Sequence, residues 1–178
     1  MDGMTQRYPG KFVGIAVHNG DPMVNSSYDS GIGTFIGGYP SGVVERNIEE
    51  DPSDFEAPFV AAVQQAPPAK IELGAIYDES SRELTLSINA VFLEDAGAGH
   101  KFNVILYEDG VTGTSAAFGQ SNAYSGGNFG AMGGYEALPG LVPASMMVYD
   151  HVGRDLLGGF AGVAVSYTHL TLPTICSV

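Results

Sequence analysis

A change of period at residues 66–68 constrains the fold of this chain more than any other feature. Up to Ala66-Pro67-Pro68 the apolar residues follow helix-like or irregular spacing; beyond it Ile71, Leu73, Ala75 and Tyr77 alternate with Lys70, Glu72, Gly74 and Ile76. After Asp78-Glu79-Ser80-Ser81 the alternation resumes, with Leu84, Leu86, Ile88, Ala90 and Phe92 set against Thr85, Ser87 and Asn89. A period of two puts such residues on one face of a strand, so the stretch predicts a hairpin with one buried face. Beyond Ala96-Gly97-Ala98-Gly99, Phe102, Val104 and Leu106 continue as a third strand. Three successive antiparallel strands favour a β-sandwich over an α/β arrangement.

The first 66 residues read differently. Residues 11–17 are a short apolar run between Pro9-Gly10 and Asn19-Gly20, suited to a strand buried on both faces of a parallel sheet. Over residues 24–36 a loop leads into a short helix with Tyr28, Ile32, Phe35 and Ile36 on one face, weakened by Gly31 and Gly33. Val43 and Val44 predict another short strand. Glu49-Glu50-Asp51-Pro52-Ser53-Asp54 gathers acids where a helix begins, with Ser53 and Glu56 spaced for a capping box. Phe55, Phe59, Val60 and Val63 would share a face of that helix, with Pro58 tolerated in its first turn. Residues 109–145 show no strand pattern; their glycines and the aromatics Phe118, Tyr124, Phe129 and Tyr135 predict a long loop, either a recognition surface or a packed crossover. Residues 146–149 and 152–160 would supply closing strands.

Composition removes several classes of function. Twenty acidic residues against seven basic ones give a formal net charge of −13, which repels a phosphate backbone and disfavours anionic membrane surfaces. Nucleic acid is therefore not an expected partner. No apolar run reaches the roughly 18–20 residues of a membrane-spanning helix. Met1-Asp2-Gly3-Met4 has neither the basic start nor the apolar stretch of an export signal, and the chain is expected to begin partway through the protein. The one cysteine is Cys176, so no disulfide, thiolate metal site or thiol catalysis is expected in residues 1–164.

Taken in order, several of these pieces resemble the 28-kilodalton outer-membrane protein-related family, exported lipoproteins of Gram-negative bacteria. The matching residues are Ile15-Ala16-Val17-His18 with Asp21-Pro22-Met23, then Gly38-Tyr39-Pro40-Ser41-Gly42 with Arg46. Further on they are Tyr107-Glu108-Asp109-Gly110, Gln120-Ser121-Asn122-Ala123-Tyr124, and Tyr149-Asp150-His151-Val152-Gly153-Arg154 with Gly158-Gly159. The resemblance spans roughly residues 8–164 and rests on the ordered set rather than on one motif. It implies an α+β chain: the C-terminal half of an N-terminally truncated thioredoxin-like α/β domain over residues 1–66, then an immunoglobulin-like antiparallel β-sandwich over 67–164. On this reading residues 67–164 would melt cooperatively by themselves and 1–66 would not. The family's earlier strand and helix, where some members carry Cys-x-x-Cys, have no counterpart here, nor does the lipid-bearing cysteine. Residues 165–178 are read as a non-native tail: Val165 to Thr174 resembles one reading frame of a transposase sequencing adaptor, and the last fourteen residues contain no Asp, Glu, Lys or Arg.

The candidate site residues follow from both readings. The resemblance places Tyr39-Pro40 at the cis-proline of thioredoxin-like folds, where the backbone faces the redox pair and extended substrates. His18 and Asp21, three apart, could share a proton or a metal ion, or could simply fix the loop after a strand. Asp150, His151 and Arg154 are the densest polar cluster of the second half; with no Gly-x-Ser-x-Gly elbow in the chain they suit a structural network better than catalysis. Ser115, Ser121 and Ser125 are the nearest hydroxyls in the glycine-rich loop. Calcium is the only cofactor the pattern suggests, at the acidic pairs Glu94-Asp95, Glu108-Asp109 and Asp78-Glu79, which are equally well explained as solvated turns.

The resemblance thus implies an exported protein of the outer membrane, periplasm or cell surface, binding a protein or peptide partner or serving assembly. No catalysis is expected within residues 1–164, and membrane association is expected only through an upstream lipid anchor. The alternative is a thiol–disulfide oxidoreductase whose Cys-x-x-Cys lies upstream, with Tyr39 and Pro40 lining the substrate groove.

Overall fold

The computed structural model describes residues 1–93, 99–128 and 130–164, together with the backbone of the strand Thr171–Thr174. In chain order the elements are α1 (Asp2–Arg7), α2 (Ser26–Ile32), β1 (Gly42–Val44), β2 (Ile48–Glu50), α3 (Glu56–Val63), β3 (Ala69–Asp78) and β4 (Glu83–Phe92). They continue with β5 (Lys101–Phe102), β6 (Val104–Glu108), β7 (Gln120–Ser121), β8 (Leu141–Val142), β9 (Val152–Leu157), β10 (Val163–Ala164) and β11 (Thr171–Thr174). Short helices and antiparallel strand pairs make this an α+β chain.

The chain divides into two compact units, and they are not the contiguous stretches 1–66 and 67–164 that the sequence suggests. One unit combines Met1–Gln64 with Ile105–Leu156; the other combines Gln65–Val104 with Leu157–Val178. The first segment of the first unit ends at Gln64, and the chain returns to that unit after β5, at Ile105. The strand pairing is local: β3 and β4 share a sheet with β11, β5 pairs with β10, β6 with β9, and β7 with β8.

The return is explained by burial. Met23 packs with Val142, Met147, Tyr149 and Val152, and Val142 and Val152 are fully enclosed. Val111, Phe118 and Leu138 close the periphery of this core. Each such side chain contributes roughly 1.5–3 kcal/mol on burial, and residues 15–28 alone have nothing comparable to pack against. The backbone follows: Ala16 N–H donates to the His151 carbonyl at 2.7 Å and Gly153 N–H to the Ala16 carbonyl at 2.9 Å, an isolated parallel bridge between Ala16 and Val152. Gly153 makes the approach close: a Cβ there would stand 3.3 Å from both Ile15 Cγ2 and Tyr28 Cε1, so those side chains would have to shift by a few tenths of an ångström. The expected strand over 11–17, buried on both faces, is therefore reduced to one parallel bridge, and Val13 is 72% exposed.

A second small core in the same unit joins Met4, Val44 and Phe59, with Tyr8, Phe12 and Phe55 around it. Phe59 meets the rings of Tyr8 and Phe12 edge-on at centroid distances of 5.0 and 5.3 Å, an arrangement the aromatic quadrupole favours. The capping box expected for α3 is absent: its N-cap is Phe55, without a side-chain cap, and Ser53 instead bonds Asp51. Glu56 is drawn away by stronger partners, accepting from Arg7 at 2.7 Å and from the Tyr8 hydroxyl at 2.8 Å. Glu49 and Glu50, expected at a helix start, lie in β2, which pairs antiparallel with β1. On α3 Phe59 is buried and Val63 exposed, so the apolar face is narrower than its spacing suggests. The helix expected over 24–36 stops at Ile32, before Gly33, and leaves Phe35 at the surface.

In the other unit the expected hairpin is present, with β3 and β4 paired from Ala69↔Phe92 to Asp78↔Glu83. Its turn is held by Asp78, whose Oδ1 accepts from Ser80 N and Oγ and from Ser81 N. Only half of the expected buried face exists: Leu86 on β4 is buried, whereas Ile71, Leu73 and Tyr77 on β3 are more than half exposed. β11, within the stretch read as a non-native tail and excluded from fold reasoning, lies antiparallel along β4 from Thr171↔Ser87 to Thr174↔Leu84. Residues 146–149 form no strand; a 3₁₀ turn at Ala144–Met146 leads to a single bridge between Tyr149 and Val111.

Because residues 105–156 complete their core with Met23, the contiguous piece 67–164 is expected to lose its cooperative thermal transition when expressed without 1–66. Calorimetry of that piece beside the full chain tests this; a sharp transition unchanged from the full chain would contradict it.

Candidate functional site

Tyr39, Pro40, His18, Asp21, Asp150, His151 and Arg154 lie in the first unit, and the structure sorts them into three arrangements. The first surrounds Tyr39 and Pro40. Asn25 caps α2, its Oδ1 accepting from Tyr28 N at 3.0 Å, while its Nδ2 donates to the Arg154 carbonyl at 3.0 Å. This anchored helix presents Asp29, whose two oxygens accept from Asn19 Nδ2 at 2.9 Å and from the Tyr39 hydroxyl. The Tyr39–Pro40 peptide is cis. On the other side of the loop Glu49 Oε1 accepts from Gly37 N at 2.7 Å and from Ser41 Oγ at 3.0 Å. Two carboxylates thus hold an exposed segment, residues 37–40, in a fixed path. Arg46 stands beside the Tyr28 hydroxyl and opposes the upward pKa shift that burial gives that tyrosine.

The second arrangement is the His18–Asp21 pair. Nδ1 and Oδ2 are 2.6 Å apart, and both side chains are about nine-tenths buried, at 11% and 10% exposure. Asp21 Oδ1 accepts from Met23 N at 2.8 Å, so the carboxylate also shapes the turn. The His18 ring meets Tyr149 edge-on at 5.4 Å, and its Nε2 is buried without a hydrogen-bond partner. A general base must reach a substrate proton; this nitrogen is enclosed against the core instead. Burial, with Asp21 adding to it, raises the Tyr149 pKa, and its hydroxyl donates to the Phe118 carbonyl at 2.6 Å.

The third arrangement links β6 to β9 by reciprocal side-chain bonds. Asp109 Oδ1 accepts from His151 N at 2.6 Å, and Asp150 Oδ1 accepts from Gly110 N at 2.7 Å. His151 has φ of +61°, a conformation uncommon outside glycine but more accessible to His than to branched residues. Its Nε2 lies 3.1 Å from Asp2 Oδ1. Arg154 Nε pairs with Glu108 Oε2 at 3.2 Å. The five polar candidates form two groups, His18 with Asp21, and Asp150, His151 and Arg154 with loop partners; the Tyr149 ring lies against His18 in space.

The glycine-rich loop is organised from within. Asn122, 9% exposed, donates to the carbonyls of Tyr135, Leu138 and Pro139 and accepts from Tyr124 N. Ser125 donates to the Leu138 carbonyl and Ser115 accepts from Ala117 N, so neither hydroxyl is placed against a histidine as a nucleophile would be. Among the described residues no cluster of three or more His, Cys, Asp or Glu could hold a metal ion. Of the acidic pairs considered for calcium, Glu94-Asp95 lies outside the described residues; Asp78, Glu108 and Asp109 are bonded within the chain as described. An open depression bordered by Tyr8, Ser53, Asp54, Glu56, Ala57 and Val60 includes none of the candidate residues.

Sequence reasoning missed Asp29, Asn25 and Asp2, and considered Asp109 only as a calcium ligand. Asn25 stood before Ser26-Ser27 as a recognisable cap signal; Asp29 and Asp2 carry no local pattern, because their partners are distant in sequence.

Comparison with protein-family models, with curated proteins and with solved structures found no match in any of the three.

Two outcomes follow from this geometry. Asp21→Ala strips partners from the buried His18 Nδ1 and from Met23 N, and is expected to cost about 3 kcal/mol in urea unfolding; a loss under about 1 kcal/mol would mean water replaces the carboxylate. Partial burial of the hydroxyl and its bond to Asp29 push the Tyr39 pKa up to about 12. The folded state holds this proton more tightly than the unfolded chain, so the stability it contributes is complete below about pH 10 and declines as pH rises towards about 12. Tyr39→Phe should remove the latest step of the phenolate absorbance titration among the nine tyrosines.

Proposed function

We propose that the chain serves binding or assembly at the cell envelope and performs no catalysis with its own residues. The observation that carries this reading is the use of its reactive groups: His18 and Asp21 are sealed in the core, while Asp109, Asp150, His151 and Arg154 tie loops together. What is held out to solvent is the backbone of residues 37–40, braced by Asp29 and Glu49. A rigid exposed segment recognises an extended peptide at little entropic cost. The ordered resemblance to exported lipoproteins supports the envelope location and a thioredoxin-like ancestry for residues 1–66. The immunoglobulin-like reading of 67–164 rests on that resemblance and on the β3–β4 hairpin.

The test is to sequence the locus upstream of this reading frame and to fractionate cells expressing the whole gene. A lipoprotein signal without paired cysteines, and recovery of acylated protein with the envelope, is the expected result. An upstream Cys-x-x-Cys with disulfide-exchange activity would replace this reading with the oxidoreductase one, and recovery in the cytoplasm would end it.

A further inference from the structure

β3 is an edge strand: β4 runs along one side of it, and among the described residues no strand runs along the other. Its ten residues contain no proline, and Ile71, Leu73, Ile76 and Tyr77 are 64%, 60%, 72% and 52% exposed. A long edge with apolar side chains offers an unpaired row of N–H and C=O groups to another strand. Lys70, Glu72 and Asp78 are its only charged residues, and their spacing determines which strand suits it.

We propose that β3 pairs antiparallel with β3 of a second copy of this chain, about a two-fold axis through Gly74. In that register each residue faces the one equally far from Gly74 on the other strand. Lys70 then faces Asp78 at both ends, and Ile71 faces Tyr77, an aromatic and β-branched pair of the kind that stabilises sheets. Leu73 faces Ala75, Gly74 faces itself, and Glu72 faces Ile76, the one mismatched pair of this register. Moving the axis one residue on, to Ala75, sets Glu72 against Asp78, two like charges. Moving it one residue back, to Leu73, sets Lys70 against Ile76 and leaves Asp78 beyond the ladder. The strand is complementary to itself in one register, which is the condition for a closed, isologous interface. Asp78 is available in its charged form, because its bonds to Ser80 and Ser81 hold its pKa below the usual carboxylate value. The formal charge of −13 on each copy opposes association until salt screens it, so the dimer belongs to physiological ionic strength rather than to dilute buffer.

Sedimentation equilibrium of the full chain at physiological salt tests the proposal. A dimer is expected by about 100 µM protein, as befits a small interface. Lys70→Asp and Asp78→Lys should each weaken it about tenfold, since each change replaces two symmetry-related attractions with repulsions. The double exchange should restore it to within about threefold of the original. A chain that stays monomeric, single variants that dimerise unchanged, or a folded double variant that fails to recover would each overturn the proposal. Hydrogen exchange reads the same interface without mutation: alternate amides of residues 70–78 should gain protection as concentration rises, and exchange independent of concentration would refute it.

Discussion

Val152 is enclosed completely, and the arrangement of the first unit depends on how that enclosure is achieved. β9 carries it between β6 on one side and Ala16 on the other, while Met23, Val142, Met147 and Tyr149 close over it. These groups come from both ends of the chain. Met23 is the residue the early segment contributes to this core; the other four come from residues 142–152. The close approach at Gly153, the cap at Asn25 that reaches the Arg154 carbonyl, and the Asp21 turn beneath the His18 ring all follow from that contact.

The same logic accounts for the polar groups. In a chain with short strands and many turns, backbone N–H groups at strand ends lack ladder partners and must find others. Aspartates supply them repeatedly here: Asp109 for His151, Asp150 for Gly110, Asp21 for Met23, Asp78 for Ser80 and Ser81. Part of the acidic excess is therefore structural, spent on fixing loops. Each of these carboxylates holds a backbone amide, and the His18 Nε2 is enclosed, with its ring edge-on to that of Tyr149.

The legible parts of the fold were those with short-range causes. The β3–β4 hairpin and its Asp78-Ser80-Ser81 turn could be read because period two and an Asx turn are local properties. α2 was legible in outline, yet Gly33 ended it sooner than its apolar spacing implied. The capping box at Ser53 and Glu56 failed for a non-local reason: Arg7 and Tyr8, nearly fifty residues earlier, offered Glu56 an ion pair and a hydroxyl. The expected double-sided burial of residues 11–17 failed because the neighbouring strand is β9, which touches that run at one residue. The candidate polar residues were found individually, but their pairing with Asp2, Asp109 and Gly110 was not, since nothing in a local window links them.

By itself the sequence determined the β3–β4 hairpin with its turn, the α+β character and the acidic charge of the chain. These depend on backbone torsion, alternation and charge, which act over a few residues or over the chain as a whole. Tertiary structure alone decided that residues 105–156 belong with 1–64, that His18 faces inward, and that β3 is left as an open edge. Those outcomes depend on which apolar surfaces exclude water from one another, and burial is a property of pairs of segments that neither segment carries alone.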